Sequence, residues 1–161
     1  MRRPTSSRPS PRDESGVAIT EFALVLPLLL IVLLGVLDFG TAFSSWIDQT
    51  HLANEGARWA VVNKNPGSSG TLQDYIRSQA DSDQLRNGGT ASMPDPMQVT
   101  ICFPNGTSNV GDPVEVRTSI EYNWLPFLGD RLSIGTTTIE TTARMRLEAL
   151  PTNYGANGTC A

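Results

Sequence analysis

The amino-acid sequence predicts an α+β fold in which one long N-terminal helix packs on a small antiparallel β-sheet. Three observations carry this prediction. A run of 21 residues from Val17 to Leu37 is apolar except at Thr20 and Glu21. Apolar side chains at helical three-four spacing continue beyond the run, and period-two alternation dominates the last third of the chain.

The first 16 residues form a basic leader. They hold four of the twelve Lys and Arg residues but only two of the sixteen Asp and Glu residues, so the rest of the chain is acidic. Basic residues directly before an apolar run place an N-terminus in the cytoplasm. Residues 1–12 are rich in Pro, Ser and Arg and lack an apolar face, which predicts disorder. We expect a cytoplasmic leader over 1–16 and an extracytoplasmic remainder.

The apolar run is long enough to cross a membrane. At 1.5 Å per residue, its length matches a hydrocarbon layer of about 30 Å. Pro27 lies inside the run, and membrane helices tolerate proline. The sequence thus predicts a transmembrane helix over 17–39 in a single-pass protein of the cell membrane.

An amphipathic stem helix is predicted over 40–62, directly after the span. Its apolar stripe contains Phe39, Phe43, Trp46, Thr50, Ala53, Ala57 and Ala60. The residues assigned mostly to the solvated face are Asp48, Gln49, Asn54, Glu55 and Arg58. The sequence NKNPGSSG (63–70) is rich in helix breakers and ends the stem.

Residues 63–161 are predicted to form the extracytoplasmic sheet domain. Thr71 and Asp74 have the spacing of a capping box at the start of a short helix. Segments near 97–103, 114–124 and 139–147 alternate apolar and polar residues and predict half-buried antiparallel strands, whose order stays open. The following group is expected to close the end of the core, with an exposed contact patch as the alternative: Trp124, Pro126, Phe127 and Leu128.

The two cysteines, Cys102 and Cys160, both follow the apolar run. Export places them in a compartment where a disulfide persists, and we expect them to pair. Closing so long a loop contributes roughly 4 kcal/mol in the chain-entropy model. Two free thiols are the alternative.

The junction between leader and span carries most of the functional information. Glu21 is a carboxylate five residues into an otherwise uncharged membrane segment, where burial of a charge is unfavourable. Cleavage after Gly16 would create an amine at Val17, one helical turn before Glu21, and this carboxylate could neutralise that amine or a neighbour's. The alternative is an uncleaved chain in which Glu21 reaches the headgroups.

The sequence resembles the type IV prepilin family and, more narrowly, the TadE-like pseudopilins of tight-adherence pilus systems. The residues that carry the resemblance are Gly16, Glu21 and Phe22 with the run FALVLPLLLIVLLGVLDFG (22–40). The stretches ANEGARWA (53–60) and ARMRLE (143–148) are further matches.

The resemblance implies a pilin-like fold and a role for each matching residue. Gly16 would precede the prepilin-peptidase cut, Val17 would become the mature N-terminus, Glu21 would serve assembly, and Phe22 fits the aromatic that often follows. The implied partners are the membrane, a prepilin peptidase, other pilins or pseudopilins, and the pilus assembly platform with its motor ATPase. Major pilins of such systems are much shorter, so the resemblance implies a minor pilin that primes or caps an adhesive pilus.

No catalytic or cofactor motif is present in the sequence. His51 is the only histidine and has no second histidine or cysteine at metal-ligand spacing. Neither a phosphate-binding glycine loop nor a dinucleotide fingerprint occurs, and the acidic exported part disfavours nucleic acid. We expect no enzyme, no cofactor, no metal and no nucleic-acid partner.

Two other interpretations stay open from the sequence. The chain could keep its leader and tether a small interaction domain outside the membrane, which gives Glu21 no role. It could also be secreted after signal-peptidase cleavage behind Gly40-Thr41-Ala42, although the apolar run exceeds the usual signal core of roughly 7 to 15 residues.

Overall fold

The computed structural model describes residues 12–68, 70–126, 135–156 and 158–160, with side chains from Gly16 onward. Its elements are α1 (Arg12–Val61), α2 (Leu72–Ser78), α3 (Asp83–Asn87), β1 (Gln98–Cys102), β2 (Pro113–Asn123) and β3 (Thr136–Arg146). Disorder was predicted for residues 1–12, of which 1–11 lie outside the described residues and Arg12 is helical; the predicted places of Phe127 and Leu128 also lie outside them. The chain divides into two compact units, 1–37 and 38–161.

The first unit is the apolar part of α1. Its 18-residue window of highest hydropathy has a mean of 2.7 and contains no buried residue. Pro27 lies inside the helix. The segment is therefore long and apolar enough to cross a membrane, and the side chains from Val17 to Leu37 need an apolar environment from outside this unit.

The second unit contains the sheet, whose strand order is β1-β2-β3 with both pairs antiparallel. Ile101 lies opposite Val116, and Val116 lies opposite Ala143, so the three strands share one buried face. Burial alternates with period two from Val116 to Tyr122 on β2 and from Ile139 to Met145 on β3, and the buried face also includes the polar residues Thr118 and Thr141. The α+β fold and the three predicted strands are confirmed.

The stem part of α1 covers the buried face of the sheet. Close approach is possible because Gly56 lacks a side chain: a Cβ atom there would come within 2.5 Å of Ile76 Cδ1 and 3.3 Å of Val116 Cγ1. Ala53, Ala57 and Ala60 are buried, as the predicted stripe requires.

The first half of the predicted stripe is wrong. Phe39, Phe43 and Trp46 are exposed, and the sheet instead covers Ala42, Ser45 and Gln49. The buried face is rotated by one residue, about 100°, because small side chains let the backbones approach where three aromatics would not. Gln49, assigned to the solvated face, is completely buried, and its amide nitrogen and oxygen have no hydrogen-bond partner.

Short elements and the C-terminal tail complete the core. The capping box at α2 is confirmed, because the Thr71 hydroxyl accepts from the Asp74 N–H and the Asp74 carboxylate accepts from the Thr71 N–H. Asn63 follows α1 with a positive φ of 53°. Its side-chain oxygen accepts from the N–H groups of Thr152 and Asn153, at 2.9 and 2.8 Å, which fastens the tail to the end of the stem.

Candidate functional site

The predicted processing segment lies within α1, which begins at Arg12. Gly16, Val17, Glu21 and Phe22 are all exposed. A side chain at Gly16 would meet no atom within 4 Å, so nothing described in this unit obstructs access to the Gly16–Val17 peptide bond. The Thr20 hydroxyl donates to the Val17 carbonyl at 2.8 Å and is thereby satisfied within the helix.

Glu21 is the only acidic residue between Glu14 and Asp38. Val17 lies four positions before Glu21 and Val25 lies four positions after it, so all three residues lie on the same face of α1. Cleavage before Val17 would leave an amine about 6 Å along the axis from Glu21, one helical turn away. The segment can therefore present one positive and one negative group close together at the end of an apolar helix.

Asp38 forms a second polar cluster, at the start of the sheet-containing unit. One of its carboxylate oxygens accepts from the Tyr122 hydroxyl at 2.8 Å, and the other accepts from the Leu125 N–H at 2.9 Å. Burial, together with the hydrogen bond to Asp38, raises the pKa of Tyr122 to about 12. The cluster fixes the end of β2 against α1, and its partners lie more than 80 residues apart in sequence.

Cys102 and Cys160 form a disulfide, as the sequence predicted. Glu115 lies opposite Cys102 on β2 and is almost completely buried. Burial by itself would raise the pKa of Glu115, but the guanidinium groups of Arg144 and Arg117, at 2.7 and 3.0 Å, lower it overall.

These groups leave no ready metal site. Cys102, Glu115 and Cys160 bring their ligand atoms within 4.8 Å of one another. However, the two sulfurs are bonded to each other, so neither is a thiolate, and the carboxylate is held by two arginines. His51 lies far along the stem, mostly exposed, with Nε2 at 3.9 Å from a Glu55 carboxylate oxygen.

Comparison with protein-family models identifies the N-terminal part of the chain. The model described as TadE-like protein matches residues 16–58. Over this segment the chain is similar to TadE-like proteins. No curated protein and no solved structure matches the chain.

The TadE-like segment begins at Gly16 and includes Val17, Glu21 and Phe22, the residues predicted to serve processing and assembly. It also includes Asp38, which sequence reasoning passed over although it is a lone carboxylate at the end of the apolar run. The match covers 43 of the 161 residues. The sheet domain after 58 lies outside the match.

Proposed function

We propose that this chain is a TadE-like minor pilin that a prepilin peptidase cleaves between Gly16 and Val17 and that then joins the assembly or priming of an adhesive pilus. The observation that carries the proposal is the family match, because it starts at the residue predicted to precede the cut. In this proposal the chain is not an enzyme.

Two physical features support the transfer of the apolar helix from lipid into an assembly of other helices. The large apolar side chains from Val17 to Leu37 are exposed except Leu26, which is half-buried, so the segment can exchange lipid for neighbouring helices at little cost. Cleavage would also remove a leader with four arginines, the charges that hold the N-terminus in the cytoplasm by the positive-inside rule. The processed helix is then free to be drawn out of the bilayer.

Glu21 would provide the register of assembly. In an apolar environment, a carboxylate is stabilised strongly by a nearby amine and penalised when alone. A helix that enters the assembly with Glu21 next to the Val17 amine of a neighbour satisfies both charges, whereas a helix shifted along its axis satisfies neither. The proposed partners are therefore the prepilin peptidase, other pilins or pseudopilins and the assembly platform.

The first experiment measures the N-terminus of the membrane-bound protein by mass spectrometry, with its prepilin peptidase active and inactivated. A start at Val17 that depends on the active peptidase is the expected result. Gly16→Leu should block the cut, whereas Gly35→Leu should not, since a side chain meets open space at both positions. An intact leader would instead indicate a membrane tether, and a start at Phe43 would indicate a secreted domain.

A second experiment separates assembly from processing. Glu21→Leu should leave insertion and cleavage intact while piliation falls, because the charge that sets the register is gone. Thr20→Val is the matched control, since it removes a neighbouring polar group that bonds only within its own helix. Normal piliation by the Glu21→Leu protein would eliminate the role of Glu21 in register.

A further inference from the structure

A group of aromatic side chains, three exposed and one half-buried, lies on the second unit and begins two residues after the apolar run. It consists of Phe39, Phe43 and Trp46 on α1 and Trp124 just after β2, and is called here the aromatic platform. Ring centroids are 6.4 Å apart for Phe39 and Phe43, 5.7 Å for Phe43 and Trp46, and 6.4 Å for Phe39 and Trp124. The rings therefore form one connected surface.

The three helix rings of this surface lie outside the core, whereas Trp124 packs against it. Phe39 is 63% exposed, Phe43 50% and Trp46 45%, and Ile47 beside them is 51% exposed. Contiguous apolar surface of this kind on a folded protein marks a contact with a partner or a membrane. Trp124 is half-buried, and its indole N–H donates to the Thr137 hydroxyl at 3.0 Å, so its polar atom is satisfied.

On the helix side of the platform, one charged residue lies near the aromatic rings. Asp38 is the only charged residue between Phe22 and Ile47. Its two carboxylate oxygens accept from Tyr122 and from the Leu125 N–H, which stabilises the charge in a poorly solvated place. Apart from Asp38, the chain thus carries no charged residue for ten residues beyond Leu37.

The spacing along the chain places the platform at the edge of a bilayer. Phe39 is two residues from Leu37, so the chain keeps it within about 8 Å of the end of the apolar run. The predicted span 17–39 ends at Phe39, so Phe43 lies about 6 Å and Trp46 about 10 Å farther along the helix, in the headgroup layer and at its outer edge.

We propose that the aromatic platform binds the headgroup layer of the outer leaflet, so that the sheet domain rests on the membrane while the chain is inserted. Trp is enriched at this level because its ring is apolar and its N–H is polar. The inference rests on the proposed membrane span, and it adds a lipid contact made by the folded domain itself. Trp124 is central to it, because it comes from the sheet and not from the helix.

The three tryptophans of the chain allow a direct test with an internal control. Trp59 is 13 residues after Trp46 on α1, about 20 Å away, and Lys64 lies over its ring at 5.7 Å. Three full-length variants would each keep one of Trp46, Trp59 and Trp124 and carry Phe at the other two positions. Each would be inserted into phosphatidylcholine vesicles with a nitroxide near the top of the acyl chain.

Lipid nitroxide should reduce the emission of the Trp46 and Trp124 variants at least two-fold and leave the Trp59 variant nearly unchanged. Aqueous iodide should give the opposite order. Equal quenching of all three variants by iodide, with none by lipid, would overturn the proposal. Shielding of Trp46 and Trp124 only when other pilins are present would also overturn it, because the surface would then bind protein.

A measurement on the same samples keeps this test separate from the processing hypothesis. The mass of the N-terminus reports cleavage at Gly16 whatever the tryptophans contact. A chain that is cut correctly but leaves its platform in water refutes only the lipid contact. A chain that stays uncut but shows the expected quenching retains the lipid contact and refutes the processing.

Discussion

Removal of the disulfide between Cys102 and Cys160 should destabilise the sheet domain by about 4 kcal/mol. The bond closes a loop with a sequence separation of 58. The chain-entropy relation then gives a loss of about 14 cal/mol/K from the unfolded state, or about 4 kcal/mol at 25 °C. This is a large fraction of the roughly 5 to 15 kcal/mol that stabilises an ordinary domain. The double variant Cys102→Ala, Cys160→Ala should therefore remain folded at 25 °C but with a small margin.

Urea unfolding of the full-length protein in detergent, followed by tryptophan fluorescence, measures this loss. The two single variants should lose about as much as the double variant, because each alone already removes the covalent link. Reduced wild-type protein serves as the control that keeps both side chains, since Cys102 is buried and its replacement also changes packing. A loss below about 1 kcal/mol in all of them would refute the loop-closure reasoning.

Three further predictions concern single positions in the second unit. Gly56→Leu should cost about 2 kcal/mol in urea unfolding because its side chain would meet Ile76, whereas Gly40→Leu, at an open position, should cost little. Asn63→Gly keeps the positive φ but loses the side-chain bonds to the C-terminal tail, and Asn63→Ala should unfold at still lower urea because it adds backbone strain. Glu115 has a lowered pKa, so its stabilisation is present above its unfolded pKa of about 4.5 and is lost as pH falls through the lower folded value. Thermal unfolding should accordingly show a wild-type melting temperature that declines in this acid range, and a Glu115→Gln protein that starts lower at pH 7 and declines less.

Local periodicity accounts for the parts of the fold that the sequence predicts. The alternation along β2 and the capping box at Thr71 depend on neighbours a few residues apart, and both are confirmed. The covered face of the stem depends on which helix residues are small enough for the sheet to approach. The small residues Ala42 and Ser45 are buried on one face of the stem, and Gln49 on the same face is buried with them although its neighbours in sequence suggest solvent.

In the candidate site too, local features are predictable from the sequence and long-range contacts are not. Gly16 and Glu21 are recognisable because their spacing is local, and their roles stay predictions. The contact of Asp38 with Tyr122 joins elements 84 residues apart, and no short pattern reports it. The aromatic platform combines a helical spacing, which the sequence displays, with Trp124, which only the folded chain brings beside Phe39.

The buried Gln49 has a consequence for motion in the native state. Gln49, Thr118 and Thr141 form a buried polar layer, because the Thr118 hydroxyl donates to the Gln49 carbonyl and is hydrogen-bonded to the Thr141 hydroxyl. The Gln49 side-chain amide has no hydrogen-bond partner, and an unsatisfied buried amide costs roughly 1 to 3 kcal/mol. This layer interrupts the apolar contact between stem and sheet, so the stem should open there at a lower free energy than near Ala57. In hydrogen exchange at equilibrium, backbone amides around residue 49 should then exchange before those around residue 57. Gln49→Leu should slow the exchange of the backbone amides around residue 49 without changing the exchange of those around residue 57.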